Sequence, residues 1–311
     1  DAGTDIERIR QVQGKGQETM TEITEPIAKR RWTRGKVIFV SLFVFGLLLA
    51  IYAFVIEPDR LVVRETAINL SSNLPSWPAE FKGLRVAAIS DIHAGAPHIK
   101  LDKLRQLVAM TNAQQPDFIL LAGDFVVQGV IGGRAIKPEI FAAELKNLKA
   151  RDGVFATLGN HDWVYNAAQV RQALEAIGIR VLENQTVKIE RNGQHVWLAG
   201  FSDEWEGNPK ITETLKQVAD DSPIIAFTHN PDLFPGIPKR VALTIAGHTH
   251  GGQVALPLIG RMVVPSKFGQ RYAAGHIIED GKHLFVTTGI GTSIIPVRFG
   301  VTPEISLLTI N

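Results

Sequence analysis

The sequence predicts an α/β fold, a sandwich of two sheets with helices against them, preceded by one transmembrane helix. Three observations carry that expectation. From Arg60 onward, short apolar runs alternate with segments of helical period. Asn192-Gly193 and Asp280-Gly281 lie between such runs, where two-residue hairpins turn. Near the N-terminus, Val37 to Ile56 is a run of 20 residues without a charge, broken only by Ser41 and Gly46.

That run comes first. At about 1.5 Å of rise per residue, a helix of this length spans about 30 Å, the thickness of a bilayer's hydrocarbon core. It has no polar face, unlike the buried helix of a soluble core. Lys29, Arg30, Arg31, Arg34 and Lys36 crowd its N-terminal side, while the charges that follow it are mixed. The positive-inside rule then makes 1–36 a cytoplasmic tail and 37–56 a single membrane span, with the domain 60–311 on the outer side. No small-x-small pair precedes Glu57, so cleavage is not expected. Arg30-Arg31 opens like a twin-arginine export signal that Trp32-Thr33-Arg34-Gly35 does not continue. Residues 1–19 are polar and aperiodic, and Met20 is a candidate start that would leave them outside the native chain.

After Ile56–Arg60, which reads as a short tether, Leu84–Ser90 reads as an apolar strand. A helix over 100–114 follows, with Leu101, Leu104, Leu107 and Val108 on one face. Phe118–Ala122 and Val154–Leu158 are further strands; Pro138 opens a helix to Leu148, and Ala167–Ile177 forms another. Thr186–Glu190 and His195–Ala199 flank the Asn-Gly turn. A helix near 209–219, strands at Ile224–Thr228 and Leu243–Ala246, and a β-rich tail complete one domain.

Composition narrows the chemistry. Apolar residues make up 45% and charged residues 21%, as in a folded globular body. The formal net charge is +2, so no nucleic acid partner is expected. There is no cysteine, which excludes disulfides, thiolate metal sites and a cysteine nucleophile. Any metal must therefore be held by His, Asp, Glu or Asn.

Residues of that kind gather where the strands end. Ser90 runs into Asp91-Ile92-His93, and Ala122 into Gly123-Asp124. Leu158 runs into Gly159-Asn160-His161-Asp162, Thr228 into His229-Asn230, and Ala246 into Gly247-His248-Thr249-His250. Carboxyl ends of neighbouring strands share one crevice in α/β folds, so five such ends can converge. Asp91 and His93, like His248 and His250, are two apart and on an extended segment would face one side. The remaining histidines, His98, His195, His276 and His283, fall outside the pattern and read as surface or packing residues.

In this order the five motifs resemble the calcineurin-like metallophosphoesterase superfamily, over about 84–311. The preceding apolar helix resembles the membrane-anchored bacterial phosphodiesterase branch. So do Gly289-Ile290-Gly291-Thr292-Ser293, Pro296-Val297-Arg298 and Pro303-Glu304-Ile305 in the tail. The resemblance implies a four-layer α/β/β/α sandwich, a bacterial inner or plasma membrane location, and two divalent ions from among Mn, Fe, Zn and Co. It implies one ion on Asp91, His93, Asp124 and His250, and a second on Asp124, Asn160, His229 and His248. His161 would protonate the leaving oxygen or stabilise its charge, with Asp162 orienting it; Arg298 and Arg271, whose planar guanidinium suits oxyanions, would contact substrate phosphate or else be solvated or structural arginines. The implied activity is hydrolysis of a phosphodiester or pyrophosphate by a metal-bridging hydroxide. Its substrate would be membrane-associated, such as a lipid or a nucleotide-linked acyl sugar. A phosphomonoesterase is the alternative within the same chemistry, and an inert membrane-anchored binding module the alternative outside it.

Overall fold

The structure, a computed structural model, describes residues 32–70 and 77–311. Most of the expected cytoplasmic tail, with Met20 and the Lys29–Arg31 charges, lies outside the described residues. The chain divides into two units, residues 1–45 and Gly46–Asn311.

The apolar run is helical. Arg34–Ile51 is α-helix with no buried side chain, and a π-turn over Tyr52–Ile56 carries it into a last turn at Glu57–Asp59. The whole Arg34–Asp59 stretch, 26 residues, is long and apolar enough to cross a membrane.

Two six-stranded sheets form the body. The first is built from β1 (Val62–Ile68), β2 (Leu84–Ile89), β3 (Phe118–Ala122), β4 (Gly153–Thr157), β5 (Arg180–Val181) and β14 (Glu304–Ile310), in the order β1-β14-β2-β3-β4-β5. The second contains β6 (Gln185–Arg191), β7 (Gln194–Gly200), β8 (Ile224–Phe227), β9 (Val241–Ala246), β12 (Gly275–Glu279) and β13 (Lys282–Val286). Its order is β12-β13-β9-β8-β7-β6. A small ribbon, β10 (Ala255–Leu256) with β11 (Gly260–Arg261), lies apart.

Period-2 alternation explains the layers. Along β2, Val86 and Ala88 join Phe118, Leu120, Leu198, Ile225, Phe227 and Leu243 in the core between the sheets. Ala87 and Ile89 point the other way, onto Leu104, Leu107, Phe141, Leu145, Val170 and Leu174 of three helices. Beyond the second sheet, Ala199, Ile224, Ala226 and Val241 pack against Leu215, Val218 and Leu233. The Asn-Gly and Asp-Gly turns are two-residue hairpins, with positive φ at Asn192, Gly193, Asp280 and Gly281, as a type I′ turn requires.

The elements differ from expectation mainly at their ends. The helix expected from Ala167 starts there, after a break at Asn166 whose side chain accepts from Gln169 N (3.1 Å), and a short helical segment from Asn160 precedes it, with Asn160, His161 and Asp162 as its first turn. The helices at Pro138–Leu145 and Ile211–Leu215 are shorter than their periodicity suggests. The stretch after Ile56 is not a free tether. The Glu57 carboxylate accepts bonds from Gly300 N (2.8 Å) and Thr302 Oγ1 (3.3 Å), and Arg298 N donates to Ala53 O (2.9 Å).

Candidate metal centre

The ligand-type residues converge because the backbone turns sharply where each strand stops. Asp91, His93, Asp124, His248 and His250 all have φ between 46° and 70°, in the left-handed region. Few residues other than Gly adopt it, and Asp and His are among the more tolerant. The extended alternation expected for Asp91/His93 and His248/His250 is therefore replaced by a turn at each residue. Two glycines permit the close approach. A Cβ at Gly159 would lie 2.2 Å from Asp124 Oδ1, and one at Gly247 would lie 1.9 Å from Ser90 Oγ and 2.8 Å from Asp91 Oδ2.

The side chains form one buried cluster. Asp124 Oδ2 lies 3.2 Å from His229 Nε2, 3.7 Å from His93 Nε2 and 3.9 Å from His161 Nε2. His250 Nε2 is 3.4 Å from Asp91 Oδ1 and 3.2 Å from His93 Nε2. His229 Nε2 is 3.0 Å from His248 Nδ1 and 3.2 Å from Asn160 Oδ1. Three groups thus have donor atoms within 4.8 Å of one another and can hold metal: Asp91-His93-His250, His93-Asp124-His161, and Asp124-His229-His248. Asp124 belongs to two of them.

The cluster suits cations better than it suits itself. His93 Nδ1 faces Val126 O (3.3 Å) and His229 Nδ1 faces Ala122 O (2.7 Å); a carbonyl only accepts, so these nitrogens carry the protons. On His93 the lone pair is left on Nε2, aimed at the His250 ring, the outer-shell arrangement that orients metal-ligating imidazoles. Asp91 Oδ1, His248 Nε2 and His250 Nδ1 are buried without any hydrogen-bond partner. Such orphans are rare in native interiors. Burial brings the pKa of His93 down to about 4 and that of His248 to about 3, and it holds His250 well below the usual range. All three stay neutral, the form that binds metal. Burial pushes Asp91 up to about 6. Burial alone would raise Asp124 too, yet His229, His161 and His93 hold it well below its normal value. For His229 burial acts downward, but the Asp124 and Asp91 charges keep it well above. Two buried carboxylates thus draw positive charge into the cluster.

Asp162 does something other than orient His161. Its carboxylate accepts from the backbone N–H groups of Asp124 (2.9 Å), Phe125 (2.9 Å), Val126 (3.1 Å) and Gly159 (2.9 Å). Neighbouring residues of a helix do not face each other, so Asp162 points back to the strand ends while His161 points into the cluster. Burial and the Asp124 charge act to raise Asp162, and the four N–H groups that donate to it oppose them by favouring the ionised form.

Neither arginine reaches the cluster. Arg298 is fully buried and donates from all three of its nitrogens to the carbonyls of Gly291, Val301, Thr288 and Gly289, which replace the expected phosphate contact. Arg271 is paired with Glu279 and lies over the Phe268 and Tyr272 rings. The four histidines outside the pattern make local contacts: His195 with Asp220 (2.9 Å), His276 stacked on His283 and bonded to it (3.0 Å), and His98 with the Phe54 backbone. Sequence reasoning missed Asp203 and Trp205. Asp203 is buried with Oδ1 unpartnered, and the half-exposed Trp205 ring lies edge-on to His248 at 4.3 Å. The signal was there: β7 also ends in glycine and runs into Phe201-Ser202-Asp203.

Known proteins match this chain along most of its length. The calcineurin-like phosphoesterase family matches residues 84–252, which contain every proposed ligand. The metallophosphoesterase YkuE of Bacillus subtilis (strain 168) is 30% identical over 266 residues, covering 84% of this chain and 89% of its own length. The phosphodiesterase YaeI of Escherichia coli (strain K12) is 29% identical over 233 residues, 72% of this chain and 81% of that protein. A Danio rerio transmembrane protein with a metallophosphoesterase domain is 28% identical over 282 residues, 85% of this chain, which spans 60% of it. With its Asp-His cluster at the strand ends, the chain belongs to the calcineurin-like phosphoesterases and is a phosphoric ester hydrolase.

Proposed function

We propose that the protein hydrolyses a phosphodiester or pyrophosphate bond of a membrane-associated substrate, with two divalent ions held in the buried cluster. Asp91, His93, Asp124 and His250 hold one ion; Asp124, Asn160, His229 and His248 hold the other. The observation that carries this reading is the buried, unpartnered Asp91 Oδ1 and an Asp124 oxygen placed among three imidazoles, with His93 Nε2, His229 Nε2, His248 Nδ1 and His250 Nε2 turned toward one another. Bound divalent ions supply an activated water and neutralise charge on the phosphoryl oxygens. Nitrogen and oxygen ligands without sulfur suit Mn, Fe, Zn or Co.

The chain's own residues do the rest. His161, whose side chain is 20% exposed at the edge of the cluster, is placed to protonate the leaving oxygen. In that step the water oxygen bonds to phosphorus, the ester P–O bond breaks, and the departing oxygen takes the His161 proton. Asp162 fixes the Asp124 loop through its backbone N–H groups, and the Val126 and Ala122 carbonyls fix the His93 and His229 rings. The phosphodiesterase name of the Escherichia coli relative supports a diester. The apolar helix Arg34–Asp59 supports a membrane location, with residues after Arg60 on the outer side by the positive-inside rule.

Turnover of bis-p-nitrophenyl phosphate against p-nitrophenyl phosphate, by the full chain with added manganese, tests the reaction. Faster cleavage of the diester is expected; a strong preference for the monoester makes it a phosphomonoesterase, and no turnover with any of the four metals refutes it. Alkaline phosphatase fused after Arg60 should be active, and an inactive fusion places the domain in the cytoplasm.

A further inference from the structure

Beside the metal cluster lies an apolar cavity of about 390 Å³, between the turn that follows His248, the stretch Met262–Pro265 and the tail segment Ser293–Val297. His250 belongs to both, offering its ring to Asp91 and His93 while also lining the cavity. The volume is at the small end of ordinary ligand sites.

The rim of this cavity is aliphatic and faces outward. Val263 is 75% exposed, Met262 70% and Ile294 68%. Ile131 stands beside them, its N–H bonded to Ile294 O (2.9 Å), and Leu258 caps the tip of the neighbouring ribbon, fully exposed. Single exposed aliphatic residues are ordinary, but a contiguous group around one opening marks an interaction surface. The backbone holds two of them out at a cost. Ile294 has φ 59° and Leu258 φ 67°, and a β-branched or bulky residue in the left-handed region is an outlier. Strain of that kind persists where function needs it.

What covers the rim follows from where the apolar helix ends. Its last turns rest on the segment that continues the cavity wall: Tyr52 packs edge-on to Phe299 at 6.0 Å, and Arg298 N donates to Ala53 O. The Phe299 backbone in turn bonds Gln253 O and Ala255 N, pinning the opposite wall (2.9 and 2.7 Å). From Phe299 to Val297, which lines the cavity, is at most about 7 Å of extended chain. The residues that would leave the bilayer therefore rest directly on the stretch of backbone that lines the cavity.

We propose that this cavity is an aliphatic subsite that takes one alkyl chain of a membrane lipid phosphoester, with the rim of Met262, Val263 and Ile294 resting in the bilayer interface. The phosphate enters the cluster on the His250 side, and the chain lies between Gln253 and Ile295. This rests on the hydrolase reading above and names its substrate class.

The test uses the full chain in lipid vesicles and alkyl p-nitrophenyl phosphates with methyl to octyl arms. Each buried CH₂ is worth about fourfold in affinity, so kcat/KM should rise by tenfold or more from the methyl to the octyl ester. Val263→Asp and Ile295→Asp should bring the octyl-to-methyl ratio down toward the value set by partition into the vesicles alone. If both variants keep the wild-type ratio, partition explains the preference and the subsite is refuted. A flat ratio in the wild type also refutes it and leaves the diesterase reading standing. If neither ester is cleaved, that reading fails, and a second readout judges the subsite alone. Octyl phosphate carrying a terminal diazirine, photolysed with the protein, should label 254–263 or 293–297, and Val263→Asp should abolish this. Label confined to other segments overturns the proposal.

Discussion

Replacing Asp162 by Asn separates two accounts of that residue, since the side chain keeps its shape and loses only its charge and one acceptor. In the structure, Oδ1 accepts from Phe125 N and Val126 N, and Oδ2 accepts from Asp124 N and Gly159 N. In Asn one of these oxygens becomes an NH₂ group. Two buried backbone N–H groups then face a donor, each unsatisfied at a cost of about 1–3 kcal/mol. The variant should lose about 2–6 kcal/mol of stability. For a domain of this size that lowers the melting midpoint by roughly 5–20 °C. Thermal melts of the full chain in detergent, followed by circular dichroism, measure the midpoint. Bound metal counted in parallel should also fall, because Gly123-Asp124 is the loop those bonds hold. A variant that melts within about 1 °C of wild type, keeps its metal and loses turnover would refute this reasoning. Asp162 would then act through His161 after all.

His161→Ala should keep both metal equivalents and lower kcat by about 10²- to 10⁴-fold, the usual worth of a general acid; Asp124→Ala should lose metal as well. Elemental analysis checks both, and a full equivalent missing from the His161 variant makes that residue a ligand, as its proximity to His93 and Asp124 allows. Glu183→Gln should flatten the stability profile near neutral pH. Burial pushes Glu183 up to about 7, so the folded state binds its proton more tightly than the unfolded chain does. That contribution is complete below the unfolded value of 4.5 and is lost as pH rises through about 7. Gln can still accept from Leu158 N and donate to Ser202 Oγ, so at pH 8 the variant should be more stable by about 3 kcal/mol. Equal wild-type and variant midpoints at pH 8 would sink that assignment.

What could be read from the sequence follows the range of the interactions involved. Apolar runs ending in Asp, His or Gly located Asp91, Asp124, Asn160, His229 and His248, because strand exits are set locally. The hairpins at Asn192-Gly193 and Asp280-Gly281 were legible for the same reason: only residues tolerant of positive φ fit them. The edge pair was not. β1 lies parallel to β14, Val62 opposite Glu304 and Ile68 opposite Ile310, across most of the chain. Adjacency misled at Asp162, where being next to His161 suggested a partnership that helical geometry forbids. Alternation misled at His93 and His250, which reach the cluster through left-handed turns.

Arg298 shows why a ligand set read from strand ends under-describes such a site. Sequence alone presents it as one free cation among 33. Burial pulls its pKa down to about 10, while the charges of Asp91, Glu304 and Glu57 act to raise it. A buried guanidinium is tolerated where its rigid fork of donors is satisfied, here by four backbone carbonyls. Two of those carbonyls, at Gly289 and Gly291, belong to a loop pressed against Asp91, where a Cβ at either glycine would lie within 2.8 Å of it. The same arginine's backbone N–H holds Ala53 at the end of the apolar helix. Lysine, with a single point of charge, cannot span those carbonyls. The position of Asp91, the first proposed metal ligand, is thus set jointly by the C-terminal tail and the helix exit, two segments that contribute no proposed ligand of their own.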